Sequence, residues 1–213
     1  MKTNTQVVVI GGGVVGASIL YHLTKAGWTD VVLVERKELT AGSTWHAAGG
    51  MLTLNGDPNI AALQRYTVQL YKDIEEISGV SCGIHQTGEL MLADTEERLD
   101  WLRMIHARGQ YLSMETEMIS VAEAKEMLPI LEEKHFAGAM WDPVGGHVDP
   151  SGVTNAYAAA ARMAGAEVYR NTWAHDLIQK NDGTWDVVTE QGTINTEHIV
   201  NCGGLWAREV GRM

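Results

Sequence analysis

Six residues near the start of the chain, Gly11-Gly12-Gly13-Val14-Val15-Gly16, have the spacing GxGxxG. Each glycine has a distinct physical use. Gly11 permits a tight turn, Gly13 lets a pyrophosphate approach the backbone, and Gly16 lets a helix lie close on a strand. The helix N-terminus then offers N–H groups and partial positive charge to phosphate oxygens. Alone the spacing is weak, because glycines can merely tighten a turn. Its context is what the motif requires: an apolar run at residues 7–10, a helical pattern after it, and Glu35 closing a second apolar run at residues 31–34. Glu35 would accept hydrogen bonds from the adenosine ribose. A carboxylate there repels a 2′-phosphate, so NADP is the poorest candidate. The pattern does not choose between NAD and FAD.

A second loop follows closely, Gly42-Ser43-Thr44-Trp45-His46-Ala47-Ala48-Gly49-Gly50. Chain order should fold it beside the same crevice. The hydroxyls of Ser43 and Thr44 suit a phosphate, and the small residues let a flat ring system sit against backbone. His46 stands out as an imidazole amid alanine and glycine. It could be a nucleophile toward an electrophilic carbon, a proton-transfer group, or a histidine simply hydrogen-bonded within its loop.

Other candidates read as structural. Cys82 and Cys202 have no CxxC or metal spacing, and free thiols in a reducing compartment are expected. The eight histidines form no HxH or HExxH pattern, so a metal site has no support. Trp141 and Trp206 could face a ligand, but seven tryptophans against one phenylalanine favour ordinary core use for both. Asp149 or Ser151 reads as a helix N-cap rather than a catalytic group.

The elements that must position the two loops follow from periodicity. A strand at 7–10, a helix at 17–26 and a strand at 31–34 make a βαβ opening. Residues 39–54 read as a loop with one helical turn. Helices are expected at 59–78, 95–108, 120–128 and 152–164, and strands at 89–93, 136–141, 167–169, 175–180, 185–189 and 198–200. Asn181-Asp182-Gly183 marks a hairpin between two of these strands. The fold class is therefore α/β: a Rossmann-like parallel sheet with helices and an antiparallel hairpin, plus part of a smaller α+β domain. The dinucleotide-binding parts are expected at about 1–80 and 147–213, and the excursion at about 81–146.

Composition bounds the rest. The 213 residues are 45% hydrophobic, enough for a sizeable core, and the formal charge of −11 (16 basic, 27 acidic) disfavours nucleic-acid backbones. No apolar stretch approaches the roughly 20 residues of a membrane span, and nothing before residue 7 reads as a targeting segment, so the cytoplasm is the expected compartment. Residues 206–213 read as a helix just beginning, which suggests a fragment of a longer protein.

The stretch Leu39-Thr40-Ala41-Gly42-Ser43-Thr44-Trp45-His46-Ala47-Ala48-Gly49 closely resembles the dimethylglycine and sarcosine dehydrogenase/oxidase family, within the D-amino-acid-oxidase-like flavoproteins. The likeness extends to Gly146-His147-Val148-Asp149-Pro150-Ser151 and to residues 200–207. It implies FAD, carried covalently by His46 through the methyl carbon of the benzenoid ring. It further implies that Val14, Val15, Glu35, Arg36, Trp45, Ala47, Ala48 and Leu52 line the cofactor, with Ala174 at the strand that contacts adenine. Ala174 departs from the usual valine, and Asn201-Cys202-Gly203-Gly204 from the usual Asn-Ala-Ala-Gly. The implied reaction oxidises an N-methylated glycine, with the hydride passing from carbon to flavin N5. Water, or tetrahydrofolate on a further domain, would take the one-carbon unit, and oxygen or an electron-transfer protein would reoxidise the flavin. The family's substrate-contacting groups follow residue 213, so no catalytic base is named and the fragment alone is expected to be inactive. Two other readings stay open: an NAD-dependent dehydrogenase, which leaves the His46 loop unexplained, and a non-catalytic regulatory subunit on the same fold, whose members lack the Trp-His pair.

Overall fold

A computed structural model describes all of residues 1–213. In chain order the elements are β1 (Asn4–Ile10), α1 (Val14–Lys25), β2 (Val31–Val34), β3 (Gly50–Met51), α2 (Pro58–Ser78), β4 (Glu89–Ala93), α3 (Glu96–Tyr111), β5 (Glu117–Ile119), α4 (Val121–Met127), β6 (Gly138–Asp142), β7 (Gly146–His147), α5 (Pro150–Met163), β8 (Glu167–Tyr169), β9 (Ala174–Gln179), β10 (Trp185–Thr189), β11 (Gly192–Asn201) and α6 (Ala207–Val210). The chain divides into two compact units. The first holds Met1–Ala48, Tyr71–Gly83 and Asp149–Met213, the second Gly49–Leu70 and Ile84–Val148.

The first unit is built on a six-stranded sheet of order β8-β2-β1-β11-β10-β9. The four strands β8, β2, β1 and β11 run parallel, while β10 and β9 are antiparallel. The unbroken Val7-Val8-Val9-Ile10 and Val31-Val32-Leu33-Val34 runs are buried on both faces, as parallel strands require. Because side chains alternate along a strand, Val8, Ile10, Val32 and Val34 share one face, where they join Ala174, Val187, Ile194 and Val210. Helices α1 and α5 pack on each other. The alanine run of α5 permits this approach, with Ala156, Ala158, Ala160 and Ala161 all buried. Asp149 caps α5 by accepting the Ser151 N–H at 2.9 Å, as the sequence reading expected.

The second unit has a three-stranded antiparallel sheet of order β4-β6-β5 and a separate β3–β7 pair. Ala93, Leu99, Leu102 and Met140 form one core of this unit, with Leu54 packed against it. α4 begins with a capping box, in which Ser120 and Glu123 satisfy each other's backbone N–H groups.

The division differs from the sequence expectation at one place. Residues 49–70, assigned in sequence to the dinucleotide-binding part, belong to the second unit. Gly50 and Met51 pair with His147 and Gly146, and the Thr53 hydroxyl donates to Asp142 at 3.0 Å. These contacts are made far along the chain, so local pattern did not reveal them.

Candidate functional site

The C-terminal ends of β1, β2 and β11 lie side by side in the sheet, and the chain leaves β1 toward β2 on one flank with β11 on the other. Such a reversal of strand order is where open α/β sheets bind ligands. Three loops gather there: the glycine turn after β1, Glu35 after β2, and Cys202-Gly203 after β11.

The glycine turn leaves no room for side chains at two positions. Gly11 has φ +115°, and a Cβ there would meet the Cys202 carbonyl oxygen at 2.3 Å; a Cβ on Gly16 would meet the Gly11 carbonyl oxygen at 1.9 Å. Gly13 is the α1 N-cap and supplies no side-chain oxygen to the first turn. The intrahelical ladder starts with Ala17 N–H donating to Gly13 O at 3.0 Å. The Val15 and Gly16 N–H groups precede that ladder, and a helix start of this kind can receive an anion.

Glu35 is anchored rather than loose. One carboxylate oxygen accepts the Gly12 N–H at 2.7 Å and the other accepts the Lys37 N–H at 2.8 Å. A carboxylate has about four lone-pair positions, so each oxygen keeps capacity for a ribose hydroxyl. The segment after β2 is stitched to the one after β8: Thr172 N–H donates to Glu35 O at 2.8 Å and Asn171 N–H to Lys37 O at 2.9 Å.

The His46 loop comes to the same place. Thr44 is buried, and its Oγ1 accepts the Val14 N–H at 3.0 Å. Sequence reasoning offered this hydroxyl to a phosphate. The structure shows that its oxygen also caps α1 from 30 residues away. Residues Thr44–His46 form a single 3-10 turn, the one helical turn expected in this loop. Ser43 precedes it and is exposed, as are Ala47 and Ala48.

His46 is exposed, and its Nδ1 lies 3.1 Å from the Gly42 carbonyl oxygen. A carbonyl oxygen can only accept, so in this contact Nδ1 carries the proton. The lone pair of the neutral ring is then on Nε2, the atom that a bond to carbon would use. Trp45 packs against the same ring at a tilt of 38°, with centroids 3.9 Å apart, and is itself 58% exposed.

Trp206 was expected in the core, and the structure overturns this. The side chain is 41% exposed, and the Arg36 guanidinium lies over its ring at 3.8 Å. A Cβ on Gly42 would come within 3.8 Å of it. Trp206 thus lies exposed beside Arg36, the ligand-facing alternative that the sequence left open but did not favour; its position just after a glycine turn at a strand end was the signal for it. Ala174 is buried as the first residue of β9. Leu52 lies in the second unit, apart in the chain's organisation from the other candidates.

These features fit FAD: a helix start whose N-cap residue carries no side chain, for a diphosphate, a held carboxylate for a ribose, and an exposed imidazole with a free nitrogen beside small residues. A family model described as DAO, FAD dependent oxidoreductase, matches residues 6–213. The chain belongs to this family. It is 42% identical over 212 residues to human mitochondrial dimethylglycine dehydrogenase, covering 100% of this chain and 24% of that protein. It is 37% identical over 212 residues to the mitochondrial pyruvate dehydrogenase phosphatase regulatory subunit of Mus musculus, covering 99% of this chain and 24% of that protein. Human mitochondrial sarcosine dehydrogenase is 35% identical over 222 residues, with 100% and 24% covered. Among solved structures, L-proline dehydrogenase from P. horikoshii superposes with a TM-score of 0.91 at 29% identity, covering 100% of this chain and 56% of that one. The chain spans about a quarter of the length of the curated relatives it matches. The expected fold class, α/β with a parallel-rich sheet, and the family resemblance both hold.

Proposed function

We propose that this chain is the cofactor-gripping part of a flavin-dependent amine oxidoreductase that acts on an N-methylated glycine, dimethylglycine or sarcosine. The observation that carries this is His46: an exposed imidazole, oriented by the Gly42 carbonyl so that Nε2 is free, on a loop that also caps α1.

The residues divide the work by position. Gly11, Gly13 and Gly16 shape the turn, and the N–H groups at the start of α1, with Val14 and Val15 beside them, receive the diphosphate. Ser43 stands near that end with a hydroxyl to give. Glu35 takes the ribose hydroxyls on its remaining lone pairs, and Arg36, Trp206 and Ala174 bound the adenosine end. Trp45, Ala47 and Ala48 flank the ring system, which His46 Nε2 holds through its methyl carbon. Bound FAD supplies a two-electron sink whose N5 takes the hydride from the N-methyl carbon. The chain's own part is orientation and exclusion of water.

The whole protein's partners follow from this reading: oxygen or an electron-transfer protein as acceptor, and tetrahydrofolate on a further domain as a taker of the one-carbon unit. Both cysteines are free, which suits a reducing compartment, and we place the protein in the cytoplasm. No helix is long and apolar enough to cross a membrane.

A second reading is a non-catalytic regulatory subunit, favoured by the 37% identity to the murine phosphatase regulatory subunit. Trp45-His46 argues against it. An NAD-dependent dehydrogenase would not need an exposed imidazole beside the ring site. The test uses the full-length protein: anaerobic dimethylglycine or sarcosine should bleach its bound flavin near 450 nm. Flavin that stays oxidised with every methylated glycine supports the regulatory reading.

A further inference from the structure

Beside Glu35 the first unit has a pocket of about 280 Å³, lined by Arg36, Lys37, Trp173 and Glu190. We propose that Trp173 is the residue that positions the adenine of the cofactor, its indole stacking on the base opposite the Arg36 guanidinium. This rests on the dinucleotide reading above and names within it a determinant that neither the glycine spacing nor the His46 loop predicts.

Three observations carry it. First, the backbone around Trp173 is fixed although its ring is not buried. Asn171 takes a left-handed turn at φ +51°, its N–H donates to Lys37 O, and Thr172 N–H donates to Glu35 O. Gln191 Nε2 donates to Asn171 O at 3.0 Å. Thr172 is only 1% exposed and Ala174 only 5%, yet Trp173 between them is 48% exposed. A large ring on an anchored backbone, left half open, is a stacking platform held in advance. Second, the facing wall is also pre-set. The Arg36 guanidinium is held by the Trp206 ring at 3.8 Å, and Trp206 is not among the pocket's walls. Arg36 is therefore supported from outside the pocket and keeps surface toward it. Third, the hydrogen bonds that anchor Trp173 run to Glu35 and Lys37, the segment whose carboxylate would hold the ribose. Base platform and ribose acceptor thus belong to one rigid cluster. Stacking of a base on an aromatic ring is sequence-tolerant and strong enough to change affinity by tenfold or more.

The experiment titrates the full-length protein, prepared free of flavin, with ADP, which carries the adenosine and diphosphate but no flavin, following both affinity and tryptophan fluorescence. Trp173→Ala should weaken ADP at least about tenfold. Trp173→Phe, which keeps a ring, should restore affinity to within a few-fold. The fluorescence quench expected on ADP addition to the protein with Trp173 intact should largely disappear in Trp173→Phe although ADP still binds, a signature that a merely structural role would not give. Far-UV circular dichroism confirms the fold of each variant. If ADP binds both variants as tightly as the parent, or the quench persists in Trp173→Phe, the proposal is overturned while the dinucleotide reading stands. If the full-length protein with Trp173 intact binds neither ADP nor FAD, both are overturned.

Discussion

The hydroxyl oxygen of Thr44 accepts the backbone N–H of Val14 across 30 residues of chain, at 3.0 Å. This one bond ties the His46 loop to the first turn of α1. It makes the helix start and the imidazole parts of a single structure. Gly13 has no side chain with which to cap α1, so the cap must come from elsewhere, and it comes from the residue two before His46.

Thr44→Val should therefore act at two points. Loss of the cap is expected to cost about 1 kcal/mol of stability, measured as a shift in the denaturant midpoint without a change in slope. FAD affinity should fall as well, because the His46 loop is released. Thr44→Ser should recover most of both. A threonine that can be replaced by valine without effect on either would separate the two loops.

Gly16→Ala places a Cβ at 1.9 Å from the Gly11 carbonyl oxygen, a rigid backbone atom. Overpacking of this kind costs about 1–3 kcal/mol, and the turn can only relax by opening the crevice. The variant should be destabilised and bind FAD poorly. Gly50→Ala is the control: no atom lies within 4 Å of its Cβ position, and its stability should match the parent within about 0.5 kcal/mol. Equal thermal midpoints for the two variants would contradict the packing argument.

In the second unit, Glu89 sits directly across the sheet from Asp142. Asp142 is 2% exposed, and its two oxygens accept Thr53 Oγ1–H and Val144 N–H. One Glu89 carboxyl oxygen is buried without a partner. Burial, and then the neighbouring Asp142 charge, push the Glu89 pKa upward. The folded chain thus holds this proton more tightly than the unfolded chain does. Its contribution to stability is complete below the ordinary glutamate pKa and is lost as pH rises through the folded value. Glu89→Gln should raise the melting temperature at neutral pH, by about 2–4 °C for each kcal/mol recovered. It should also flatten the decline in stability on the alkaline side of the ordinary glutamate range. A melting profile that Glu89→Gln leaves unchanged between pH 4 and 8 would contradict this.

Cys82 is fully buried, and burial together with the Glu75 and Asp149 charges pushes its thiol up to about 11. Burial raises Cys202 as well. Because the thiolate is the reactive form, both should alkylate slowly in the folded chain at pH 7 and rapidly after denaturation. Fast labelling of Cys82 in the native chain would show that the fold around the end of α2 and the start of α5 opens.

The legible parts of the sequence were those in which local chemistry and tertiary role agree. The buried β1 and β2 runs, the glycine turn, the Asn181-Asp182-Gly183 hairpin and the Asp149 cap all fall where their residue types place them. The hidden parts depend on distant partners. β3, β5 and β7 have only two or three residues each and exist through pairing with remote strands. β11 runs from Gly192, well before the expected residue 198, because its polar first half is held on both sides. Asn195 lies in register with Asn4 of β1 and donates to Thr184, Trp185 and Asp186. Trp206 misled for a related reason. Tryptophan composition speaks for cores on average, but this ring is held on the surface by one guanidinium.

The central proposal is that His46 is bonded to flavin. The full-length protein, and the same protein with His46→Ala, should be denatured, separated on a gel and viewed under ultraviolet light before staining. The account predicts yellow-green fluorescence in the parent band and none in the variant. A dark parent band, or an equally bright variant, would contradict it.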